Sequence, residues 1–157
     1  MGGTLATILA EEYNPVGLAT RSGAIRVREK FAWAAGALWR LKPYLRWTNL
    51  EHDGDYDNSV DACYAGLPVR KVADLNRLRA LARRNLALID CPALVVQPTN
   101  DETVDPVSAR ILMQGIRSPQ KKLVMLENSP HVCTLGPERE RVFREVIDFV
   151  RSVAKES

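Results

Sequence analysis

Two residues whose chemistry suits proton transfer stand just beyond two apolar segments of this chain. Asp101 follows the segment Ala93–Gln97, and His131 follows Leu123–Leu126. Both segments read as buried strands, and parallel strands bring their carboxyl ends to one edge of a sheet. A buried carboxylate there can orient an imidazole that takes a proton from a nucleophile, which is the acid–base half of a catalytic triad. We therefore expect Asp101 to be the acid and His131 the base of one catalytic site.

Each residue also has a simpler explanation when it is considered alone. Asp101 is equally well explained as a turn residue or a helix cap, and a single loop histidine is more often just solvated. The combination favours catalysis, because acid followed by histidine on consecutive parallel strands is an order found in serine hydrolases after the nucleophile.

The first residues complete this interpretation. The chain opens Met1-Gly2-Gly3 and continues as a helix. A nucleophile elbow of the form G-x-S-x-G would place its serine immediately before Met1. The sequence therefore predicts the back part of a serine hydrolase, without the nucleophile. In that geometry the backbone nitrogen of Met1 would be the second donor of the oxyanion hole.

Periodicity divides the chain into three predicted regions. Residues 1–20 hold a helix, with Met1, Leu5, Ile8, Leu9 and Tyr13 on one face, and a short buried strand, Val16–Ala19. Residues 21–89 have no strand signal and are predicted to be a helical cap. Residues 90–157 alternate strand and helix, which predicts an α/β fold with a parallel sheet. The predicted buried face of the last helix consists of Val142, Phe143, Val146, Ile147, Val150 and Val153.

Aromatic residues distinguish the predicted cap. Phe31, Trp33 and Trp39 are candidates for a lid over an acyl-chain pocket, and packing of the cap onto the sheet explains them equally well. Seven basic residues and one acidic residue lie between Arg21 and Arg46. Such a run is more often a solvated face than an anion site.

Composition excludes several classes of protein. A net charge of +3 on 157 residues is too small to indicate nucleic-acid binding, and no apolar run is long enough to span a membrane. The start of the chain lacks the basic-then-apolar pattern of a signal peptide. Three cysteines without metal-ligand spacing favour a reducing, cytoplasmic setting. We expect neither a metal nor an organic cofactor.

Several segments resemble one family closely. Residues 91–106, which include Cys91-Pro92 and Asp105-Pro106, resemble the acid loop of α/β-hydrolase carboxylesterases and monoacylglycerol lipases, with its pattern P-x-L-V-x-Q then D-x-x-V/I-x-P. Residues 122–135 resemble the family's L-E-x-S-x-H-V-x-T-L segment, and residues 1–4 resemble the end of its G-x-S-M-G-G elbow. The resemblance covers the first 20 and last 70 residues, and it implies the C-terminal half of an α/β-hydrolase. It makes Asp101 and His131 the triad acid and base.

The resemblance also implies the function and its limits. The expected activity is hydrolysis of carboxylic esters, including acylglycerols, with this chain inactive alone because it lacks the nucleophile. The alternative is a non-catalytic binding or interaction module of the same fold. An exposed sheet edge predicts self-association. Two positions depart from the family pattern, since Pro130 replaces the usual glycine and Gly136 a frequent aspartate.

Overall fold

The structure, a computed structural model, describes residues 1–28, 34–46 and 66–156. The helices are α1 (Gly2–Tyr13), α2 (Ala35–Leu38), α3 (Val69–Arg84), α4 (Val107–Gly115) and α5 (Arg139–Glu156). The strands are β1 (Leu18–Arg21), β2 (Tyr44–Arg46), β3 (Gly66–Pro68), β4 (Ala93–Pro98) and β5 (Lys121–Leu126).

Three parallel strands position the candidate site. Their order is β1-β4-β5, with Leu18 opposite Ala93 and Val95 opposite Leu123. Because all three strands run the same way, the loops that follow them meet at one edge of the sheet. These loops carry Ser22, Asp101 and His131, so the sheet brings the two predicted site residues together.

The sheet separates two layers of helices. On one face, β1 and β4 side chains form a core with α1, α4 and the end of α3, including Ile8, Leu112 and the fully buried Ala82. On the other face, α5 covers β4 and β5 through a second core cluster that contains Leu94, Val124 and Val142. The predicted α/β fold with a parallel sheet is therefore confirmed.

The first strand is shifted from its predicted position. The sequence predicts Val16–Ala19, whereas β1 spans Leu18–Arg21, and Val16 is 65% exposed. The Leu18 amide donates to the Pro92 carbonyl at 2.8 Å. Pairing with β4 therefore starts two residues later than the apolar pattern indicates.

The apolar stripe of α1 lies mostly outside the core. Of the predicted face, only Ile8 is buried, while Leu5, Leu9 and Tyr13 are 41%, 54% and 73% exposed. Two threonines occupy the core-facing positions of α1 instead, because their hydroxyl groups form hydrogen bonds. Thr4 donates to the Ala24 carbonyl and Thr7 to that of Gly3. Hydrogen bonding makes these polar residues suitable for burial.

The predicted buried face of α5 is also partly wrong. Val142 and Val153 are buried, but Phe143, Ile147 and Val150 are 42%, 48% and 53% exposed. A helix advances about 100° per residue, and Phe143, Ile147 and Val150 each directly follow a residue that packs in the core. These three side chains therefore lie on the flank of the helix. The six apolar positions form a stripe wider than the sheet face available to α5.

The region predicted as a mostly helical cap also contains two short strands. β2 and β3 pair antiparallel, with Tyr44 opposite Pro68, and the Val69 amide donates to the Pro43 carbonyl. Proline disfavours the helical conformation in the preceding residue, which suits Pro43 and Pro68 to the ends of extended segments. Residues 29–33 and 47–65 lie outside the described part of the chain, and the region boundaries at 20 and 89 remain predictions.

A partly buried carboxyl in α1 gives a test of the fold in solution. Burial, and then the neighbouring Glu12, raise the pKa of Glu11 to about 7. The folded state therefore holds a proton that the unfolded chain has lost, and stability falls as pH rises from about 4.5 to about 7. We expect Glu11→Gln to raise the free energy of unfolding at pH 8 by about 1 kcal/mol, after discounting for its partial exposure, and to change it little at pH 4.

Urea unfolding at the two pH values measures this difference. Glu140→Gln, which makes the same substitution at an exposed position of α5, is the control variant. An equal effect of Glu11→Gln at both pH values would contradict the predicted titration.

Candidate active site

The Asp101 carboxylate is fully buried at the end of β4 and surrounded by donors. Its Oδ1 accepts from the backbone amides of Thr103 at 2.9 Å and Val104 at 2.7 Å. Its Oδ2 accepts from the Gln97 side-chain nitrogen at 3.0 Å. Burial by itself raises the pKa of Asp101, but hydrogen bonds from His131 and the two amides more than offset it, so the net pKa lies below the usual range. The carboxylate is therefore charged at neutral pH.

His131 meets this carboxylate from the loop after β5. Its Nδ1 lies 3.0 Å from Oδ1 and 2.9 Å from Oδ2 of Asp101, within the expected hydrogen-bond range. The side chain is 30% exposed, whereas that of Asp101 is completely buried. The pair therefore has a buried acid end and an open imidazole end. A carboxylate at Nδ1 favours the tautomer in which Nε2 is free to accept a proton.

The histidine backbone is held from two sides. The Ser22 hydroxyl, after β1, donates to the His131 carbonyl at 3.1 Å. The His131 amide donates to Glu102 Oε2 at 3.3 Å. Ser22 has a φ of 46°, a left-handed conformation that is uncommon for serine. Three consecutive sheet loops therefore fix the position of the imidazole.

The start of α1 lies beside the same loops. A Cβ on Gly3 would come within 2.9 Å of the Gly23 Cα, so only glycine allows this close approach. The Thr4 hydroxyl fixes the same approach through Ala24. Met1 is the N-cap residue of α1, and burial lowers the pKa of its amino group. The helix N-terminus, whose dipole favours negative charge, is thus held next to the loop that contacts His131.

The two departures from the family pattern compensate for each other. A Cβ at Gly136 would lie 2.8 Å from the Pro130 Cδ, so the proline ring occupies the space that a larger residue at 136 would need. Glu138 braces the loop, because its Oε2 accepts from the Asn128 amide and the Ser129 hydroxyl, both at 2.9 Å. Contacts among neighbouring residues therefore stabilise the loop that carries His131.

This packing predicts a coupled pair of substitutions. Gly136→Ala should lower the free energy of unfolding by about 1–3 kcal/mol, since it forces a side chain into a filled space. Pro130→Gly removes the obstructing ring, and the double variant should recover at least half of that loss. A double-mutant cycle by chemical denaturation measures the coupling. Additive effects of the two changes would contradict the proposed contact.

Other hydroxyl and thiol groups near the pair are poorly suited to be the nucleophile. Ser22 directs its hydroxyl at the His131 carbonyl and not at Nε2. Burial raises the pKa of the Cys133 thiol, which keeps it protonated and weakly nucleophilic. Among the described residues, none forms a hydrogen bond with Nε2 of His131, whose ring is bonded through Nδ1.

Trp39 is the one cap candidate within the described residues, since Phe31 and Trp33 lie outside them. Its ring is flanked by two cations, with the guanidinium carbons of Arg40 and Arg70 at 5.3 and 5.5 Å from the ring centroid. Such contacts hold the ring within the cap, between α2 and the start of α3. Its role toward a substrate remains a prediction.

Sequence reasoning missed four residues that support the site: Gln97, Ser22, Glu102 and Glu138. Gln97 had a detectable signal, since it is a polar residue inside an apolar strand, four positions before Asp101. The others gave none, because their partners are distant in sequence or bonded through the backbone. In the parts of the chain that the structure describes, no group of three or more His, Cys, Asp or Glu could hold a metal ion. No helix there is long and apolar enough to cross a membrane.

The chain is similar in sequence to a bacterial lipase and a bacterial carboxylesterase. No protein-family model matches it. It is 31% identical over 150 residues to the thermostable monoacylglycerol lipase of Bacillus sp. (strain H-257), an alignment that covers 95% of this chain and 59% of that protein. It is 33% identical over 86 residues to the carboxylesterase of Bacillus subtilis (strain 168), covering 55% of this chain and 35% of the other.

Solved structures extend the comparison. The chain superposes with a TM-score of 0.85 and 27% identity on a structure from work on LipS and LipT, two metagenome-derived lipolytic enzymes, covering 97% of this chain and 62% of that one. The Paleococcus ferrophilus monoacylglycerol lipase gives a TM-score of 0.76 at 18% identity, covering 99% of this chain and 65% of that one.

These findings define the class of protein. The parallel sheet with helices on both faces, superposed on these enzymes, is the α/β-hydrolase fold, so the predicted fold class is confirmed. Within that fold, the predicted similarity to monoacylglycerol lipases and carboxylesterases is confirmed as well. The chain spans 59% of the length of the first of these relatives and 35% of the second.

Proposed function

We propose that this chain is the acid–base part of a serine hydrolase that cleaves carboxylic esters, with monoacylglycerols among its substrates. The observation that carries the proposal is the contact of His131 Nδ1 with the buried Asp101 carboxylate, at 2.9–3.0 Å. The names of the two Bacillus relatives supply the substrate class. Medium or long acyl chains are the expected acids.

The proposed chemistry follows from the geometry of the pair. A serine hydroxyl attacks the ester carbonyl carbon while His131 Nε2 takes its proton, and Asp101 stabilises the imidazolium. The tetrahedral intermediate collapses to an acyl-serine as His131 returns the proton to the departing alcohol. Water repeats the sequence and releases the acid. The Met1 backbone nitrogen, at the start of α1, is the proposed second donor to the oxyanion.

The nucleophile in this proposal comes from polypeptide outside these 157 residues. Ser22 and Cys133 have other partners or an unsuitable thiol pKa, as described above. The chain by itself is therefore proposed to be inactive. Its two described cysteines, Cys91 and Cys133, are unpaired, which is compatible with the proposed reducing, cytoplasmic setting.

A joined protein tests the proposal. The part of the Bacillus sp. (strain H-257) lipase that has no counterpart in this chain is fused before Met1, and a Gly-x-Ser sequence is placed directly before Met1. We expect the joined protein to hydrolyse p-nitrophenyl esters and to react with a fluorophosphonate probe, and the 157-residue chain alone to do neither. A folded joined protein without either activity would favour the alternative, a non-catalytic interaction module. Turnover by the chain alone would mean that another nucleophile operates.

A further inference from the structure

The segment that follows β1 pairs with the loop that carries the candidate acid. Residues 26–28 lie antiparallel to residues 103–105, with Val27 opposite Val104. Backbone amides donate to carbonyls across this contact on both sides of the central pair, at 3.0 and 3.2 Å. We call this short two-stranded contact the clasp. It joins two segments that are distant in the sequence, next to the candidate site.

The clasp includes the backbone that holds the Asp101 carboxylate. The Thr103 carbonyl accepts from the Arg28 amide across the clasp at 3.2 Å. The Val104 amide belongs to the same peptide unit and donates to Asp101 Oδ1 at 2.7 Å. Because a peptide unit is planar and rigid, fixing the direction of its carbonyl also fixes the direction of its amide. The hydrogen bond in the clasp therefore orients a donor to the buried carboxylate.

A buried serine at the start of α4 holds the other strand of the clasp. Ser108 is completely buried, and its hydroxyl accepts from the Arg26 amide at 2.8 Å. The same hydroxyl donates to the Arg26 carbonyl at 2.9 Å, and it can do both because a hydroxyl is donor and acceptor at once. The Arg26 carbonyl also accepts from the Asp105 amide within the clasp. Ser108 thus ties α4 to the backbone of a residue 82 positions away.

This tie is stronger than the ion pair beside it. α4 gives Ser108 a rigid base, since Ala109 and Leu112 of the same helix are buried in the core. The Arg26 side chain also pairs with Asp105 at 3.1 Å, but it is 61% exposed, so this ion pair contributes little. Removing the hydroxyl, in contrast, leaves the Arg26 amide without its acceptor.

We propose that Ser108 is a positioning residue for the catalytic pair. Its hydroxyl fixes the Arg26 backbone, the clasp passes that constraint to the Thr103–Val104 peptide, and this peptide holds the Asp101 carboxylate. The serine acts through Asp101 and needs no contact with the substrate. Its effect on Asp101 is independent of ester hydrolysis, whereas the consequence for turnover rests on the proposed function.

Ser118 provides a closely matched control. It is 1% exposed, and its hydroxyl also bonds to both backbone groups of one residue. It accepts from the Gln120 amide at 3.2 Å and donates to the Gln120 carbonyl at 3.4 Å. Ser118 precedes β5, so it lies at the opposite edge of the sheet from the candidate site. Ser118→Ala therefore removes the same group from an equally buried position far from Asp101.

Hydrogen exchange in the 157-residue chain tests the effect on Asp101 without any need for turnover. The amide of Thr99, which bonds to the backbone of β5, serves as the internal reference. We expect Ser108→Ala to speed exchange of the Thr103 and Val104 amides about tenfold relative to this reference, because the clasp opens locally.

The control variant and the contrary outcomes are well defined. Ser118→Ala should leave the exchange ratio unchanged. An unchanged ratio in Ser108→Ala, or an equal rise in both variants, would overturn the proposal. Ser108→Cys keeps a weaker donor and acceptor at the same position and should give a smaller rise than alanine. Its ratio decides the result if Ser108→Ala does not fold.

Steady-state kinetics of the joined protein measure the consequence for turnover. Ser108→Ala should lower kcat for p-nitrophenyl esters about 10–100-fold and change KM less than about twofold, because a displaced acid impairs the reaction and not substrate binding. Ser118→Ala should change neither constant. A kcat of Ser108→Ala within about twofold of an active parent would overturn the positioning role. An inactive parent would overturn the proposed function alone, and the exchange ratio would still decide how Ser108 acts on Asp101.

Discussion

Changing His131 to alanine should lower kcat of the active joined protein about 10⁶-fold. Nucleophile and base act as one unit, so losing either costs about as much as losing both. The residual rate would come from oxyanion stabilisation and substrate binding alone. Steady-state hydrolysis of p-nitrophenyl esters measures the loss, and fluorophosphonate labelling should fall with it because the serine is no longer activated.

His52, the second histidine of the chain, provides the control for this experiment. It belongs to the predicted cap and lies outside the described residues. We expect His52→Ala to change kcat less than about tenfold, far below the loss predicted for His131. A joined His131→Ala protein that remains folded and keeps turnover within about a hundredfold of the parent would refute the assigned role of His131 as base.

Changing Asp101 to asparagine should lower kcat about 10⁴-fold, the second largest effect that we expect. An amide in place of the carboxylate can hold the wrong tautomer of His131 and does not stabilise the imidazolium. Gln97 and the amides of Thr103 and Val104 would also lose their charged acceptor. The loss should therefore exceed that of removing an exposed carboxylate. Asp90→Asn, which breaks an exposed ion pair with Arg117, is the matched control and should leave kcat unchanged.

The same substitution has a pH signature in the isolated chain, where no turnover is needed. The net pKa of Asp101 is lowered by folding, so its charged form stabilises the native state above the pKa of the unfolded chain. That contribution is lost as pH falls through the lower, folded pKa. The difference in free energy of unfolding between the parent and Asp101→Asn should thus be largest near neutral pH and shrink below about pH 4. A difference that grows on acidification would contradict the assignment.

Local sequence predicts the parts of this site that depend on strand order. Apolar segments of strand length before Asp101 and His131 indicate a parallel sheet, and a parallel sheet brings the ends of its strands together. The pair could therefore be predicted with no knowledge of distances. The end of α1 is also a local feature, since Asn14 directly after Tyr13 adopts a left-handed cap conformation with φ of 44°.

The burial of individual helix side chains was much less predictable than the direction of the strands. Periodicity identifies the apolar face of a helix but does not say what lies against it. In α1, Thr4 and Thr7 are buried, whereas Leu5 and Leu9 are exposed. The threonines can be buried because the Thr4 hydroxyl donates to the distant Ala24 carbonyl and the Thr7 hydroxyl donates to the Gly3 carbonyl within α1. In α5 the apolar band is wider than the part of the sheet that the helix covers.

The sequence by itself determined the α/β class, the order of acid and histidine, and the similarity to lipases and esterases. Only the tertiary structure decided how the pair is held: Gln97 on the carboxylate, Ser22 and Glu102 on the histidine backbone, and Pro130 filling the space left by Gly136. The physical reason is the separation along the sequence over which each kind of interaction acts. Strand and helix propensities act over a few residues, whereas Ser22 and His131 are 109 positions apart and become neighbours only when β1 and β5 flank β4.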